Sequence, residues 1–190
     1  MQNTGHIEQW IESLRDVRAR IETMAAASTA AERATRPDAK SWSFDQVVEH
    51  IISVNTSLMT TVRAVQAGTY KAGIMSRFPR VARILGSLIL RSVQPQTQSK
   101  IKTVPGWEPR SSGPRDDMAA MFVRHQEELC TMIESMRNLP LHNIIISSPE
   151  NSAIVYTLHT AVQIIVAHEQ RHCNQAERTL AMVRAVNDRA

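Results

Sequence analysis

The stretch SFDQVVEHIISVNTSLMTTVRAV, residues 43–65, carries the clearest helical signal in the chain. Its apolar side chains recur every three or four residues, which places them on one face of an α-helix. Ser43 followed by Gln46 is typical of a capping box at a helix start. Gly68 suits the end of this helix, because glycine readily adopts the left-handed conformation found there. The apolar stripe comprises Phe44, Val47, Ile51, Val54, Leu58, Val62 and Val65.

The same spacing predicts three further long helices. The first precedes Arg36-Pro37-Asp38, where proline disfavours helix in the residue before it. The third ends at Asn138-Leu139-Pro140, and the fourth runs from about Asn151 to the mid-180s. Their stripes are Ile7, Trp10, Ile11, Leu14, Val17, Ile21 and Met24; Met118, Phe122, His125, Leu129, Met132 and Met136; and Ile154, Leu158, Ala161, Ile165, Ala176 and Val183.

The middle of the chain, about 69–114, is less regular. Pro79 suits the first turn of a short helix whose apolar side holds Val81, Ile84, Leu85, Leu88 and Ile89. Residues 94–114 are rich in proline and polar residues and are predicted to form a connection. The run 143–147 could be extended, but no partner strand is predicted. We therefore expect an all-α four-helix bundle, a single domain over residues 1–190, with an extra short helix and a long connection between helices two and three.

The composition excludes several classes of protein. With 190 residues, of which 43% are hydrophobic and 21% charged, the chain is large enough for a core and unlike a disordered protein. Cys130 and Cys173 show no paired spacing, which favours a reducing compartment. The start, MQNTGHIEQW, does not resemble a signal peptide, and no apolar run approaches the roughly 20 residues of a membrane helix. We expect a cytoplasmic protein without a transmembrane segment.

The net charge of +4 is concentrated in residues 70–110, where eight basic residues face one acidic residue, Glu108. This segment therefore carries +7, and the remainder carries −3. Its short helix resembles a basic membrane-surface helix, although a helix packed on the bundle with a solvated basic face is the ordinary alternative. Its aromatic residues are widely spaced, so no nucleic-acid partner is expected. The basic residues are Lys71, Arg77, Arg80, Arg83, Arg91, Lys100, Lys102 and Arg110.

Two of the seven histidines suggest a metal site. His168 and His172 are four residues apart, on the same side of the fourth helix as its apolar stripe. Two buried imidazoles need hydrogen-bond partners or a shared ion, because unpaired burial is costly. Histidines at this spacing can bind one divalent metal, whereas the alternative is a hydrogen-bonded pair. A third ligand must come from another helix, and the candidates are His50, at the shoulder of its stripe, and His125.

The remaining polar residues give weaker signals. His6, His142 and His159 are expected near a chain end, in a loop and on the outward side of the fourth helix, without a special role. Glu49 and Glu169 follow or precede candidate ligands but point elsewhere on their helices, so no general base is evident. Cys173 lies about 100° around the helix from His172 and is not expected to bind the same ion. Gln175 could hydrogen-bond His172 or pack as an ordinary polar residue.

Three stretches of the chain resemble the DinB-like proteins. SWSFDQVVEH, residues 41–50, is similar to their entry into helix two, which carries a histidine at its end. HEQRHCNQ, residues 168–175, resembles their late HxxxHxxQ motif, and TVPGWEP, residues 103–109, looks like the connection before their third bundle helix. The resemblance extends from about Arg36 to about Arg178, with the motifs in the same order.

The resemblance implies a bundle with up-down-down-up connectivity, often a homodimer. It implies His50, His168 and His172 as metal ligands and leaves His125 outside the family pattern. Three neutral nitrogens leave at least one coordination position open, as in catalytic zinc sites; imidazole ligands also suit nickel and copper, and zinc is the first expectation.

Similarity to thiol-dependent S-transferases and to a thiol-dependent isomerase further implies transfer of a low-molecular-weight thiol to a small electrophile. An open metal position also activates water, and a hydrolase is the other enzyme class that this implies. A metal-binding stress or interaction protein without turnover is the alternative, and a basic binder of membranes or nucleic acid is a weaker one.

Overall fold

The computed structural model describes residues 4–97, 103–111 and 113–187. Four long helices confirm the all-α prediction. They are α1 (Thr4–Ala26), α3 (Phe44–Gln66), α5 (Met118–Ser135) and α6 (Leu158–Asn187). The shorter elements are helices α2 (Ala30–Ala34) and α4 (Pro79–Ser92), two single 3-10 turns (Ile74–Arg77 and Pro105–Trp107), and strands β1 (Ile145–Ser148) and β2 (Asn151–Thr157). Within the described ranges, no helix combines the length and apolarity needed to cross a bilayer.

Helices α1 and α6 run in the same direction. Near their starts the rings of His6 and His159 lie 5.2 Å apart, and near their ends Arg184 Nη2 donates to the carbonyl oxygen of Ala27 at 2.6 Å. Helix α1 also packs against α5, and α6 against α3. The two remaining helices, α3 and α5, also pack against each other and close the bundle.

Helices α5 and α3 run opposite to that pair. The end of α5 lies beside the start of α1, where Arg137 and Glu8 form an ion pair at 3.5 Å. Helix α3 runs alongside α5 in the same direction, since Gln66 near the end of α3 donates to Ser135 Oγ at the end of α5. The predicted up-down-down-up connectivity is confirmed.

The start and stop signals of α3 act as its sequence predicts. Ser43 Oγ accepts from the amide of Gln46 at 3.3 Å, and Gln46 Oε1 accepts from the amide of Ser43 at 3.1 Å. Gly68 has a φ of 69°, a conformation that glycine adopts without steric cost. The Nε2 of the Gln46 side chain also donates to the carbonyl oxygen of Ser111 at 2.9 Å, so the cap anchors the long connection.

The buried apolar residues form two clusters, one toward each end of the bundle, with a polar layer between them. Along α6 the buried members of the first cluster end at Val166, and those of the second begin at Cys173. The polar layer therefore lies at the middle of the bundle. Its buried members on α3, α5 and α6 are His50, Asn55, Gln126, His168 and Glu169.

The segment before α6 corrects the predicted start of the fourth helix. Residues 151–157 form β2, which pairs antiparallel with β1, and Ile145 lies opposite Thr157. The 143–147 run thus has the partner that the sequence did not predict. Ile154 fits helical spacing only by coincidence. The β-branched and aromatic residues around it favour a strand, and Pro149 lies in the turn between the two strands.

Helix α4 begins at Pro79, as predicted, but its apolar residues do not share one packed side. Ala82 and Gly86 face the bundle and are buried, whereas Ile84 is 62% exposed and Leu88 57% exposed. The predicted apolar side is therefore only partly packed, because the small residues Ala82 and Gly86 beside it bring α4 against β2 and α6.

Gly86 sets the distance between α4 and the bundle. A Cβ atom at this position would lie 3.0 Å from the Tyr156 Cβ and 3.0 Å from the Thr160 Cγ2. We expect Gly86→Val to lower the free energy of unfolding by about 1–3 kcal/mol, because its methyl groups overlap this contact. Urea denaturation measures the change. Ser87→Val, an exposed position on the same helix, is the matched control; equal losses in both variants would contradict the close packing at Gly86.

Candidate metal centre

Helices α3 and α6 bring three histidines together. His50 Nε2 lies 3.1 Å from His168 Nε2, and the His172 ring centroid lies 4.6 Å from that of His50 and 4.3 Å from that of His168. One ring nitrogen from each histidine lies within 4.8 Å of the other two. Two nitrogens on one tetrahedral zinc ion are about 3.3 Å apart, so the spacing of His50 and His168 suits a shared ion.

Hydrogen bonds fix which nitrogen of two of these rings carries the proton. His50 Nδ1 donates to the carbonyl oxygen of Trp107 at 2.8 Å, since a carbonyl can only accept. His172 Nδ1 donates to Gln175 Oε1 at 2.8 Å, which resolves the role of Gln175 left open by the sequence. In both rings the Nε2 lone pair is therefore available. The Nδ1 of His168 is buried without a hydrogen-bond partner among the described residues, so its proton can occupy that nitrogen when Nε2 binds an ion.

The environment keeps all three rings neutral. Burial lowers the pKa of His50, although its bond to Trp107 opposes the shift. Burial and the neighbouring histidines lower the pKa of His168 well below its ordinary value, and burial with the nearby His50 lowers the pKa of His172 to about 3. A neutral imidazole is the form that binds a metal, so the three residues fit a divalent ion.

An open cleft lies next to this group. The Trp42 ring centroid is 4.9 Å from that of His50 and 6.5 Å from that of His172. Trp42 also lines a cleft of about 350 Å³. Trp42 thus contacts both the histidines and the cleft, although none of the three histidines lines the cleft itself. Its other lining residues are Arg36, Lys40, Gln46, Thr103, Glu108 and Pro109.

Glu49 orders the connection beside the centre. Its carboxylate accepts from the amides of Arg110 and Ser111, at 3.2 and 3.0 Å, and from the Ser111 hydroxyl. Burial would raise the pKa of Glu49, but these hydrogen bonds outweigh it and lower the pKa below its ordinary value. Glu49 therefore holds residues 110–111 against α3, in agreement with the prediction that it points away from the histidines.

Glu169 forms a buried network that the sequence did not reveal. Its side chain accepts from Asn55 Nδ2 at 2.6 Å and from Gln126 Nε2 at 2.9 and 2.8 Å. Burial raises its pKa to about 7, although both hydrogen bonds oppose the shift. One signal was available: each of these three polar residues occupies a stripe position of its helix, four residues after Ile51, Phe122 and Ile165 respectively.

His125 and Cys173 lie outside the three-histidine group. His125 is half-buried on α5, and burial lowers its pKa. The nearby Glu128 raises the pKa and Arg63 lowers it, each by less than burial does. Cys173 is buried in the second apolar cluster, where burial raises its pKa to about 11. Among the described residues, the only group of at least three potential ligands is His50, His168 and His172.

His159 departs from its prediction. It is buried rather than outward-facing, and its ring stacks on His142 at 4.0 Å and meets the edges of His6 at 5.2 Å and Trp10 at 5.0 Å. Burial, with the nearby His142 and His6, lowers its pKa to about 4. Farther along α6 this side of the helix faces solvent. In the first turn it is covered, because the start of α1 and residues 141–144 pack against it.

The fold and this histidine group define a helical-bundle protein with a candidate metal centre. A family model, the DinB superfamily, matches residues 9–176, which include all three histidines. The chain belongs to the DinB superfamily. Comparison with curated proteins and with solved structures found no match.

The Glu169 network makes a direct prediction for stability. Gln126→Ala removes one of the two residues that donate to Glu169, so we expect the free energy of unfolding to fall by about 1–3 kcal/mol. Urea denaturation at neutral pH with a chelator measures the loss without a metal contribution. Gln9→Ala, at an exposed position of α1, is the matched control. An equally stable Gln126→Ala protein would show that Glu169 does not depend on this donor.

Proposed function

We propose that the protein binds a divalent metal through His50, His168 and His172 and uses it to transfer a low-molecular-weight thiol to a small electrophile. Zinc is the first candidate and nickel the second. The observation that carries the proposal is the approach of the His50 and His168 Nε2 atoms to 3.1 Å, with the third neutral ring beside them. Homodimer formation belongs to the same proposal and follows from the family resemblance.

A bound divalent ion would supply Lewis acidity, which lowers the pKa of a thiol or water near neutral pH. The chain's own contribution is orientation: the Trp107 carbonyl and Gln175 hold two rings with their Nε2 atoms available. Trp42 contacts the rings of His50 and His172 and also lines the cleft. Glu49 and Glu169 are both engaged in hydrogen bonds away from the three histidines, so neither is assigned as a general base.

Two features favour turnover over storage of the metal. The three histidines are the only potential ligand group among the described residues, and three protein ligands with an open position are typical of catalytic rather than structural zinc. The cleft of about 350 Å³ beside Trp42 can receive a small substrate, and Arg36 and Lys40 in its lining suit an acidic one.

Metal content tests the site itself. We expect the untagged protein to carry about one equivalent of zinc or nickel by mass spectrometry, and His50→Ala and His172→Ala to lose most of it. His125→Ala should keep the metal, since His125 lies outside the group. Circular dichroism confirms that the variants remain helical. Little metal in the wild type after supplementation with zinc, nickel and manganese would refute the site.

Turnover tests the second part of the proposal. The metal-loaded protein should consume a thiol and a small electrophile together, measured by chromatography across a panel of biological thiols. We expect His172→Ala to lose at least about a hundredfold in rate and His125→Ala to match the wild type. Loss of the electrophile without thiol consumption would indicate a hydrolase. Full metal occupancy without any turnover would favour the alternative, a metal-binding stress or interaction protein.

A further inference from the structure

Helix α4 presents an apolar line on its outward side. Ile84 and Leu88 are four residues apart and lie about 120–160° around the helix from Ala82 and Gly86, which face the bundle. Both are more than half exposed, at 62% and 57%. The two residues therefore lie on the solvent side of α4.

Basic residues flank this line. Arg80 lies one turn before Ile84, and Arg91 lies almost one turn after Leu88, so both share the outward side. Arg83 is exposed on the flank of the same helix. None of these three arginines forms an ion pair with any described residue. The arrangement places an apolar centre between unneutralised positive charges.

The residues before α4 extend the same character. Ile74 is 71% exposed and Phe78 53% exposed, and Arg77 between them is exposed as well. From Thr69 to Thr97 the chain contains five basic residues and no acidic one. The exposed side chains of residues 74–91, which we call the α4 surface, thus combine apolar groups with a positive charge.

The α4 surface is rigidly attached to the bundle. Gly86 packs closely on Tyr156 and Thr160, and Arg171 Nη1 donates to the carbonyl oxygen of Ser92 at 2.6 Å. A guanidinium at the carboxyl end of a helix also interacts favourably with the helix dipole. The exposed apolar residues are consequently held in place and do not need to be ordered on binding.

We propose that the α4 surface docks the protein on an anionic lipid membrane. A lipid surface accepts apolar side chains at the headgroup boundary and offers negative charge to the arginines around them. Nucleic acid supplies the charge but no apolar acceptor for Ile84 and Leu88. In a two-fold contact between copies, the arginines of both would meet without an acidic residue from the same segment to neutralise them.

Vesicle sedimentation tests this proposal. We expect the full-length protein to bind phosphatidylcholine vesicles that contain about 30% phosphatidylglycerol, and to bind pure phosphatidylcholine at least about tenfold more weakly. Binding should also fall at least about tenfold between roughly 0.1 and 0.5 M salt, because screening weakens the contribution of the arginines. The assay is repeated with a chelator, so that loss of the metal and loss of lipid binding are distinguished.

Matched variants separate the α4 surface from the rest of the protein. Ile84→Ser with Leu88→Ser, and separately Arg80→Gln with Arg83→Gln, should each weaken binding at least about tenfold. Two control pairs change exposed residues elsewhere and should leave vesicle binding unchanged. They are Met182→Ser with Val186→Ser, and Arg124→Gln with Arg178→Gln. Three results would each overturn the proposal. They are undiminished vesicle binding by the α4 variants, failure of the unsubstituted protein to bind anionic vesicles, and a change of oligomeric state in Ile84→Ser with Leu88→Ser.

Discussion

A carboxylate removed from solvent constrains the packing of three helices. Glu169 is fully buried, and its oxygens are satisfied by Asn55 on α3 and Gln126 on α5. Because burial of an unpaired carboxylate is costly, the three helices can meet only in the register that supplies these donors. That register also places His50, five residues before Asn55, opposite His168, the residue before Glu169. The helix register that satisfies Glu169 therefore also brings together the histidines of the candidate metal centre.

The long connection completes the environment of His50 from outside the bundle. The Trp107 carbonyl accepts from His50, the Trp107 indole donates to Ser57 Oγ at 3.0 Å, and Glu49 holds the amides of Arg110 and Ser111. All of these partners on the bundle belong to α3, which links the connection to the helix that carries His50. An irregular segment can thus hold a precise position, because α3 satisfies its backbone groups.

Helical spacing was sufficient to predict the four long helices and, with the family resemblance, the residues that meet at the centre. It failed where structure depends on distant partners. β2 forms because β1 pairs with it, although Ile154 continues the spacing of α6, and His159 is buried because α1 covers the first turn of α6. Glu169 points away from the ligands, as predicted, but its buried partners Asn55 and Gln126 come from other helices, which helical spacing within α6 does not reveal.

The proton position on His50 is governed by a main-chain atom. Every amino acid supplies a carbonyl, so no substitution at residue 107 removes the acceptor; a change there acts only through the indole and its bond to Ser57. Sequence variation among relatives at this position would consequently report how the connection is anchored, and not how the histidine is oriented. Side-chain substitutions at residue 107 therefore neither create nor remove the hydrogen bond to His50. The bond persists in any relative whose connection follows the same backbone course.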